Sequence, residues 1–162
     1  LHWNLAQLAS ALRLICDSEP LVAALEGFPK SYGTAFTEHF CWRLGVESEG
    51  FDKDKPLVVA AEQALTQKTV TIDQFFLDWG NGRIPENASY GSDQFSVFRQ
   101  EMIKKQRTRS SDHEYWQSEL PCSMYIEEVE TIWDAIAKDD DWQPLSRKVT
   151  AIRNMGKALR TM

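Results

Sequence analysis

The stretch FPKSYGTAFTEHFCWRLG, residues 28–45, decides the fold class. An apolar side chain stands at every fourth position: Phe28, Tyr32, Phe36, Phe40 and Leu44. This spacing is typical of one helical face, and Gly45 stands where a glycine commonly ends a helix. Four residues turn about 40° past one full helical turn, so the stripe winds slowly around the helix and needs partners on more than one side. We therefore expect a buried aromatic stripe within a helical core.

Helical spacing continues on both sides of this stretch. Apolar residues recur at intervals of about 3.6 along most of the chain, and the alternation typical of strands is nearly absent. We predict an all-α fold, an irregular bundle of about seven to nine helices. The predicted helical segments cover residues 3–15, 20–27, 28–44, 56–65, 72–79, 93–103, 112–118, 123–136 and 142–155.

Turn and capping residues set the predicted boundaries. We expect the second helix to end at Gly27, because glycine turns without a Cβ penalty. Residues 46–55 are predicted to form an exposed connector before a helix that begins at Pro56. Asp93 and Ser123 are predicted to cap later helices, the second of which would have an apolar inner face. That inner face consists of Ile126, Val129, Ile132, Trp133 and Ile136.

We expect residues 1–162 to form a single helical domain in three parts. Helices occupy 1–79, a loop occupies 80–92 and further helices occupy 93–162. The loop is rich in Gly, Asn and Ser and is longer than compact domains usually carry. The chain opens with Leu1 rather than Met, from which we expect that it was cut from a longer protein.

The composition is that of a globular protein, with 43% hydrophobic and 26% charged residues. No apolar run reaches the roughly 18 residues that span a bilayer, and no signal peptide pattern precedes the first helix. The cysteines lack the CxxC spacing of zinc and redox sites, which favours a reducing compartment: Cys16, Cys41 and Cys122. We therefore predict a cytoplasmic protein without a membrane partner.

The net charge of −6 and the pI near 5.1 argue against a nucleic-acid partner, because phosphate contacts need a basic face. Two basic runs interrupt the acidic chain. Residues 99–109 hold five basic residues and one acidic residue, and residues 147–160 hold five basic residues and no acidic one. Such runs usually form a solvated helix face or loop. Docking against an acidic neighbouring surface is the alternative.

The sequence shows no motif of an active site. GxGxxG, GxxxxGK and HExxH are all absent. The acid–histidine neighbours Glu38-His39 and 112–114 would point to different sides of a helix. The acidic run 139–141 is better explained by a following helix, with Asp141 as its cap, than by a metal ion. We predict no catalytic, cofactor-binding or metal-binding residue in this chain.

The beginning of the chain resembles a known family. Trp3-Asn4-Leu5, followed by Leu8-Ala9 and Ala11-Leu12, is similar to the WNLxxLAxAL segment of the selenoprotein O family, the YdiU-type protein adenylyltransferases. The resemblance is good over residues 1–76, weak over 79–120 and partial again over 121–145. Further matching positions are Ala24-Leu25, Phe28, Phe36, Phe40, Arg43-Leu44-Gly45, Leu57, Leu65, Ile72 and Phe76.

The resemblance implies that this chain is the C-terminal helical part of a kinase-like protein. The family transfers AMP from ATP to protein hydroxyls with a divalent metal such as Mg²⁺. Its ATP-binding loop, catalytic aspartate and metal-binding motif precede the Trp-Asn-Leu segment, so the resemblance implies ATP and the metal for the parent protein only. The implied partner of this chain is the N-terminal catalytic lobe, contacted through Trp3, Leu8 and Leu12.

A stand-alone helical protein-interaction module without catalytic activity is the alternative. Its docking surface would include Lys104, Lys105 and Arg107, together with the loop over 80–92. The apolar surface expected around Trp3 could also pair two copies into a dimer. Nucleic-acid binding through the basic runs is a third hypothesis, which the acidic composition disfavours.

Overall fold

The computed structural model describes residues 1–86 and 88–160. Asn87, in the predicted loop, and residues 161–162, in the last predicted part, lie outside the described residues. The described chain contains seven α-helices: α1 His2–Leu12, α2 Ser18–Leu44, α3 Phe51–Leu65, α4 Ile72–Trp79, α5 Asp93–Ile103, α6 Ile126–Asp139 and α7 Gln143–Ala158. Two short 3₁₀ helices, Ala88–Tyr90 and Glu114–Gln117, complete it. The predicted all-α class is confirmed.

The core lies where the C-terminal part of α2 meets α3, α4 and α5. Aromatic rings fill its centre. The Trp79 and Phe98 rings lie 4.7 Å apart in edge-to-face geometry, and the Phe75 and Phe98 rings lie 5.3 Å apart. Tyr90, from the predicted loop, is buried against Phe95 at 4.9 Å. The segment between α4 and α5 therefore contributes to the core.

The predicted helix end at Gly27 is wrong, because α2 continues through Gly27 and Pro29 to Leu44. Pro29 removes one backbone hydrogen bond from the helix. Ring contact along one side supports continuity, since the Phe28 and Tyr32 rings stack at 5.4 Å. The predicted end at Gly45 is correct: Gly45 has φ 70°, the left-handed conformation that closes many helices.

The prediction of a fully buried aromatic stripe is also wrong. Phe40 and Leu44 are buried, but Tyr32 is 48% exposed and Phe36 is 37% exposed. The core elements reach only the last turns of α2, where the Phe40 ring contacts the Phe76 ring of α4 at 5.5 Å. Periodicity identified the apolar face of α2, but most of that face has no covering element in the described chain.

The predicted connector over 46–55 is largely ordered. Helix α3 begins at Phe51, five residues before Pro56, and Asp54 in its first turn is completely buried. One Asp54 carboxylate oxygen accepts hydrogen bonds from the Ser48 hydroxyl at 2.6 Å and from two backbone N–H groups. The other oxygen accepts from the Lys105 ammonium. Because the Asp54 carboxylate has a partner for each oxygen, Asp54 can be buried within the first turn of the helix, and α3 can start at Phe51.

Several other predicted boundaries shift. The first helix ends at Leu12 rather than residue 15, and Ser92 rather than Asp93 caps α5, accepting from the Phe95 N–H at 3.4 Å. Ser123 does not cap α6, which starts at Ile126. The hydroxyl of Ser123 is buried without a partner, although its carbonyl accepts from Lys148.

The expected inner face of α6 is not formed. No residue of α6 is buried, and Ile126 and Trp133 are each 63% exposed. Among the described elements, α7 alone contacts α6 extensively. It covers one side of α6 in part and leaves the other sides open to solvent. The cap predicted for α7 is wrong by one residue: Trp142 is the N-cap, and Asp141 precedes it, although the Asp141 carboxylate accepts from the Gln143 N–H at 2.9 Å.

Arg109 joins the ends of two helices. Its guanidinium donates to the carbonyls of Trp42 at 2.6 Å and Arg43 at 3.2 Å, at the end of α2, and to the Gly80 carbonyl, after α4. It also lies between two indole rings, 5.4 Å from Trp42 and 5.6 Å from Trp116. Burial and the nearby Arg43 charge lower the pKa of Arg109 to about 10. The interpretation of the basic run as a solvated face is therefore wrong for Arg109.

Replacing Arg109 should strongly destabilise the fold. Arg109→Ala leaves three helix-end carbonyls without their donor, so we expect a loss of about 3 kcal/mol in the free energy of unfolding. Urea denaturation of both proteins measures it. Arg153→Ala, at an exposed position on α7, is the control and should change stability by less than about 0.5 kcal/mol. Equal effects of the two substitutions would contradict this role.

The ion pair of Asp54 and Lys105 predicts a pH dependence. Burial raises the pKa of Asp54, but the hydrogen bonds from Lys105 and Ser48 outweigh burial and hold this pKa below its ordinary value. For a carboxyl with a lowered pKa, the stabilisation is present above the ordinary value of about 4 and is lost as the pH falls through the lowered pKa.

We therefore expect wild-type stability to fall between about pH 5 and pH 3, and Asp54→Asn to fall less steeply over that interval. Urea unfolding at a series of pH values measures both slopes. Asp139→Asn, at an exposed acid, should retain the wild-type slope. Parallel curves for the wild type and Asp54→Asn would refute the stabilising pair.

Candidate docking surface

Residues 1–36 form a two-helix arm, made of α1, the turn over 13–17 and the first part of α2. The helices run antiparallel, since the His2 ring lies 6.0 Å from the Phe28 ring and the turn joins the opposite ends. A cleft of about 300 Å³, lined partly by Ala6 and Ala9, remains between them. None of residues 1–36 is buried. The arm therefore has no closed core of its own.

Helix α1 lies on α2 through one face and leaves apolar side chains on both flanks. The half-buried residues of this face are Leu5, Ala6, Ala9 and Leu12. Trp3 is 70% exposed and Leu8 is 55% exposed. At about 100° per residue, these two side chains lie about 140° apart around the helix. Of the predicted contact residues, Leu12 faces α2, whereas Trp3 and Leu8 project on opposite flanks.

An aromatic ladder runs from the start of α1 along α2 to the core. We use this name for His2, Phe28, Tyr32, Phe36 and Phe40, whose successive ring centroids lie 5.4–6.0 Å apart. The contact of Phe40 with Phe76 continues the ladder into α4. The middle of the ladder is open to solvent, at Tyr32 and Phe36. Stacked rings give the arm a firm connection to the core, and they leave apolar area exposed.

The turn of the arm adds to this surface. Leu14 is 90% exposed and Ile15 is 82% exposed, and Val22 follows at 50% on α2. Monomeric proteins rarely expose apolar residues in such a concentration. The large exposed apolar side chains of the arm are Leu1, Trp3, Leu8, Leu14, Ile15, Val22, Tyr32 and Phe36.

The basic residues predicted for docking differ in their surroundings. The Lys104 ammonium pairs with Glu101 at 2.6 Å and its side chain is 64% exposed. The side chain of Lys105 is only 4% exposed, because its ammonium binds Asp54 and, at 2.8 Å, Glu49. Both bonds raise the pKa of Lys105 against the opposing effect of burial, which is the largest single influence on it. Lys105 is therefore committed to an internal contact.

Arg107 is exposed and donates to the Asn81 carbonyl at 3.3 Å. It lies beside Val46, with which it forms an isolated antiparallel bridge near the end of α2. Helix α1 contacts the other end of α2, up to about Phe28, so roughly 25 Å of helix separates Arg107 from the residues of α1. The structure thus places the predicted apolar and basic docking residues at two different locations.

Sequence reasoning missed the exposed part of the ladder and two arginines, Arg43 and Arg83, near Arg107. The break assumed at Gly27 concealed the mismatch between a short α1 and a much longer α2. Had one continuous helix been predicted, its length alone would have shown that α1 cannot cover the whole stripe.

Other candidate groups carry no active-site geometry. Burial raises the pKa of the Cys41 thiol to about 12, so it stays protonated at neutral pH. A cleft of about 730 Å³ lies between residues 114–122, α6 and α7. Its two carboxylates already have partners, since Glu128 binds Lys148 and Glu114 accepts from Asn154, each at 2.6 Å.

The described residues contain neither a metal-ligand cluster nor a helix that could span a membrane. Within residues 1–86 and 88–160, no three His, Cys, Asp or Glu side chains are grouped closely enough to hold a metal ion. None of the helices in that part of the chain combines the length and the apolar character that crossing a bilayer requires.

The exposure of the ladder predicts unequal effects of two similar truncations. Phe40→Ala removes a buried ring and should lower the free energy of unfolding by about 3–5 kcal/mol. Tyr32→Ala, two helical turns away on the same face, should lower it by only about 1 kcal/mol. Urea denaturation compares them. Equal losses would show that Tyr32 is buried in solution.

Comparisons with known proteins show the family to which this chain belongs. The family model described as protein adenylyltransferase SelO matches residues 1–153. A protein nucleotidyltransferase YdiU from Synechocystis sp. is 26% identical over 174 aligned positions, covering 94% of this chain and 36% of the relative. This chain thus spans about a third of the length of that relative. No solved structure matches it. Because the family model covers nearly the whole chain, the chain belongs to the SelO family of protein adenylyltransferases.

Proposed function

We propose that this chain is the C-terminal helical region of a protein adenylyltransferase and that its arm packs against the catalytic lobe of the same protein. The observation that carries the proposal is the arm itself, residues 1–36, which contains no buried residue and has apolar side chains on both flanks of α1. The curated relative is much longer than this chain, which spans 36% of it. A covering partner within the same polypeptide is consistent with that difference.

The exposed apolar area is large enough to hold two parts of a protein together. Burying one large apolar side chain is worth about 2 kcal/mol. Covering Trp3, Leu8 and one residue of the turn would therefore stabilise the contact by several kcal/mol before the loss of side-chain freedom is counted. The aromatic ladder would connect that contact mechanically to the core through Phe40 and Phe76.

The AMP transfer named for the family would belong to the parent protein. Transfer of AMP from ATP needs groups that position the phosphates and a divalent metal that neutralises the developing charge. The described residues do not fit such a group, since their carboxylates do not converge in threes and the described chain has no strand that leads into a glycine loop. We therefore derive no step of AMP transfer from this chain and assign it a supporting role.

The exposed apolar surface also fits the alternative function, a stand-alone interaction module. In that case the arm would bind a separate protein or a second copy of the chain. The two functions differ in one consequence. If the arm supports the catalytic lobe, the stability of the parent protein depends on the arm, and if the arm binds a separate protein it does not.

Charge placed on the arm tests the proposal. We expect the double variant Trp3→Glu/Leu8→Glu to change the unfolding free energy of the isolated chain by less than about 1 kcal/mol, because both side chains are already exposed. In the full-length parent it should lower the melting temperature by several degrees and AMP transfer at least about tenfold, since a charge would enter an apolar contact. Thermal unfolding and AMP incorporation into protein measure the two effects.

The matched control is Val97→Glu. Val97 lies on the outer face of α5 with its side chain 49% exposed, so this variant should leave the parent unchanged. A parent that tolerates the arm variant as well as this control would exclude the supporting role. If the isolated wild-type chain also sediments as a dimer that the arm variant disrupts, the alternative function is favoured.

A further inference from the structure

Four arginines gather where α2 ends. The turn over 80–83 and the segment over 107–111 run beside this helix end, joined to it by two backbone hydrogen bonds of 2.9 Å. The Gly82 N–H donates to the Leu44 carbonyl, and the Thr108 N–H donates to the Gly45 carbonyl. These contacts place the backbone segments that hold Arg43, Arg83, Arg107 and Arg109 beside one another.

None of the four guanidinium groups is neutralised within the described chain. Arg109 binds carbonyls only, and Arg43 lies over the Phe76 ring at 4.7 Å. Arg83 donates to the Ser111 hydroxyl at 2.6 Å, and Arg107 donates to a carbonyl at 3.3 Å. No ion pair among residues 1–86 and 88–160 includes any of them, whereas Lys104 and Lys105 both have carboxylate partners.

The three outer arginines are accessible and already oriented. Arg83 and Arg107 are exposed, and Arg43 is half-buried. A guanidinium has five N–H donors, so the neutral partners described above leave donors free on each. Because these contacts hold the side chains in place, less rotamer freedom is lost when an anion binds. Planar donors in fixed positions suit bidentate contacts with carboxylates.

We propose that Arg43, Arg83 and Arg107 form a docking site for an acidic segment of a partner protein. This site is separate from the arm and does not depend on the function proposed for the arm. A nucleic acid fits less well, because its phosphate backbone needs an extended basic stripe. Here the exposed acids Glu47, Glu86 and Asp112 interrupt the basic surface along the same segments, which leaves a compact group of arginines rather than a stripe.

A labelled poly-glutamate peptide is the probe, at an ionic strength of about 0.1 M, where charges more than about 10 Å apart are largely screened. Fluorescence anisotropy measures its binding to the whole chain. The wild type should bind it, and Arg83→Glu/Arg107→Glu should weaken binding at least about tenfold, since two attractive contacts become repulsive. The control is Arg147→Glu/Arg153→Glu, which makes the same charge change at exposed positions of α7. Its affinity should stay within about threefold of the wild type, because the effect of distant charges is partly screened.

Equal weakening by both double variants would overturn the proposal, because only net charge would then matter. Tighter binding of an oligothymidylate than of the peptide would overturn the choice of a protein partner. Inorganic phosphate should displace the peptide no better than chloride at equal ionic strength, and stronger displacement would assign the site to free phosphate instead. Urea denaturation shows whether the glutamate variant is folded. If it is not, Arg83→Gln/Arg107→Gln replaces it, and the affinity of that variant for the peptide should still fall several-fold.

Discussion

The guanidinium of Arg109, buried against three carbonyls at the ends of α2 and α4, is the interaction on which the rest of the structure depends. A helix end leaves carbonyls without partners, and burying them without donors is unfavourable. One side chain from a distant segment satisfies both ends and fixes that segment beside them. Lys105 is thereby positioned to reach Asp54, and Arg107 is positioned beside the turn over 80–83.

Helix α2 divides into two parts with different surroundings. Its last turns belong to the core with α3 and α4, whereas none of its residues up to 36 is buried. The same apolar stripe therefore serves as core at Phe40 and as open surface at Tyr32. The rings between these positions are in continuous contact. The arm is therefore joined to the core by packed side chains along one helix rather than by a loop.

The sequence was sufficient to predict the helical class, the helix end at Gly45, helix α4 and the family. Local spacing and glycine chemistry determine the first three, and the resemblance of the Trp3-Asn4-Leu5 segment indicated the family. The burial of Asp54 and Arg109 could not be predicted in this way, since Lys105 lies 51 residues from Asp54 and the carbonyls that Arg109 binds lie 29, 66 and 67 residues from it. In the sequence, Lys104 and Arg109 are both members of one basic run, yet one is solvated and the other holds two helices. Periodicity likewise shows which face of a helix is apolar, but not whether another element covers it.

The central claim is that the arm is covered in the parent protein, and hydroxyl-radical footprinting of Trp3 tests it most directly. Trp133 on α6 is the internal reference, because it is 63% exposed in this chain and Trp3 is 70% exposed. The two side chains should be oxidised at similar rates in the isolated chain. In the full-length parent, the account predicts that Trp3 oxidation falls several-fold relative to Trp133. An unchanged ratio of the two rates would contradict it.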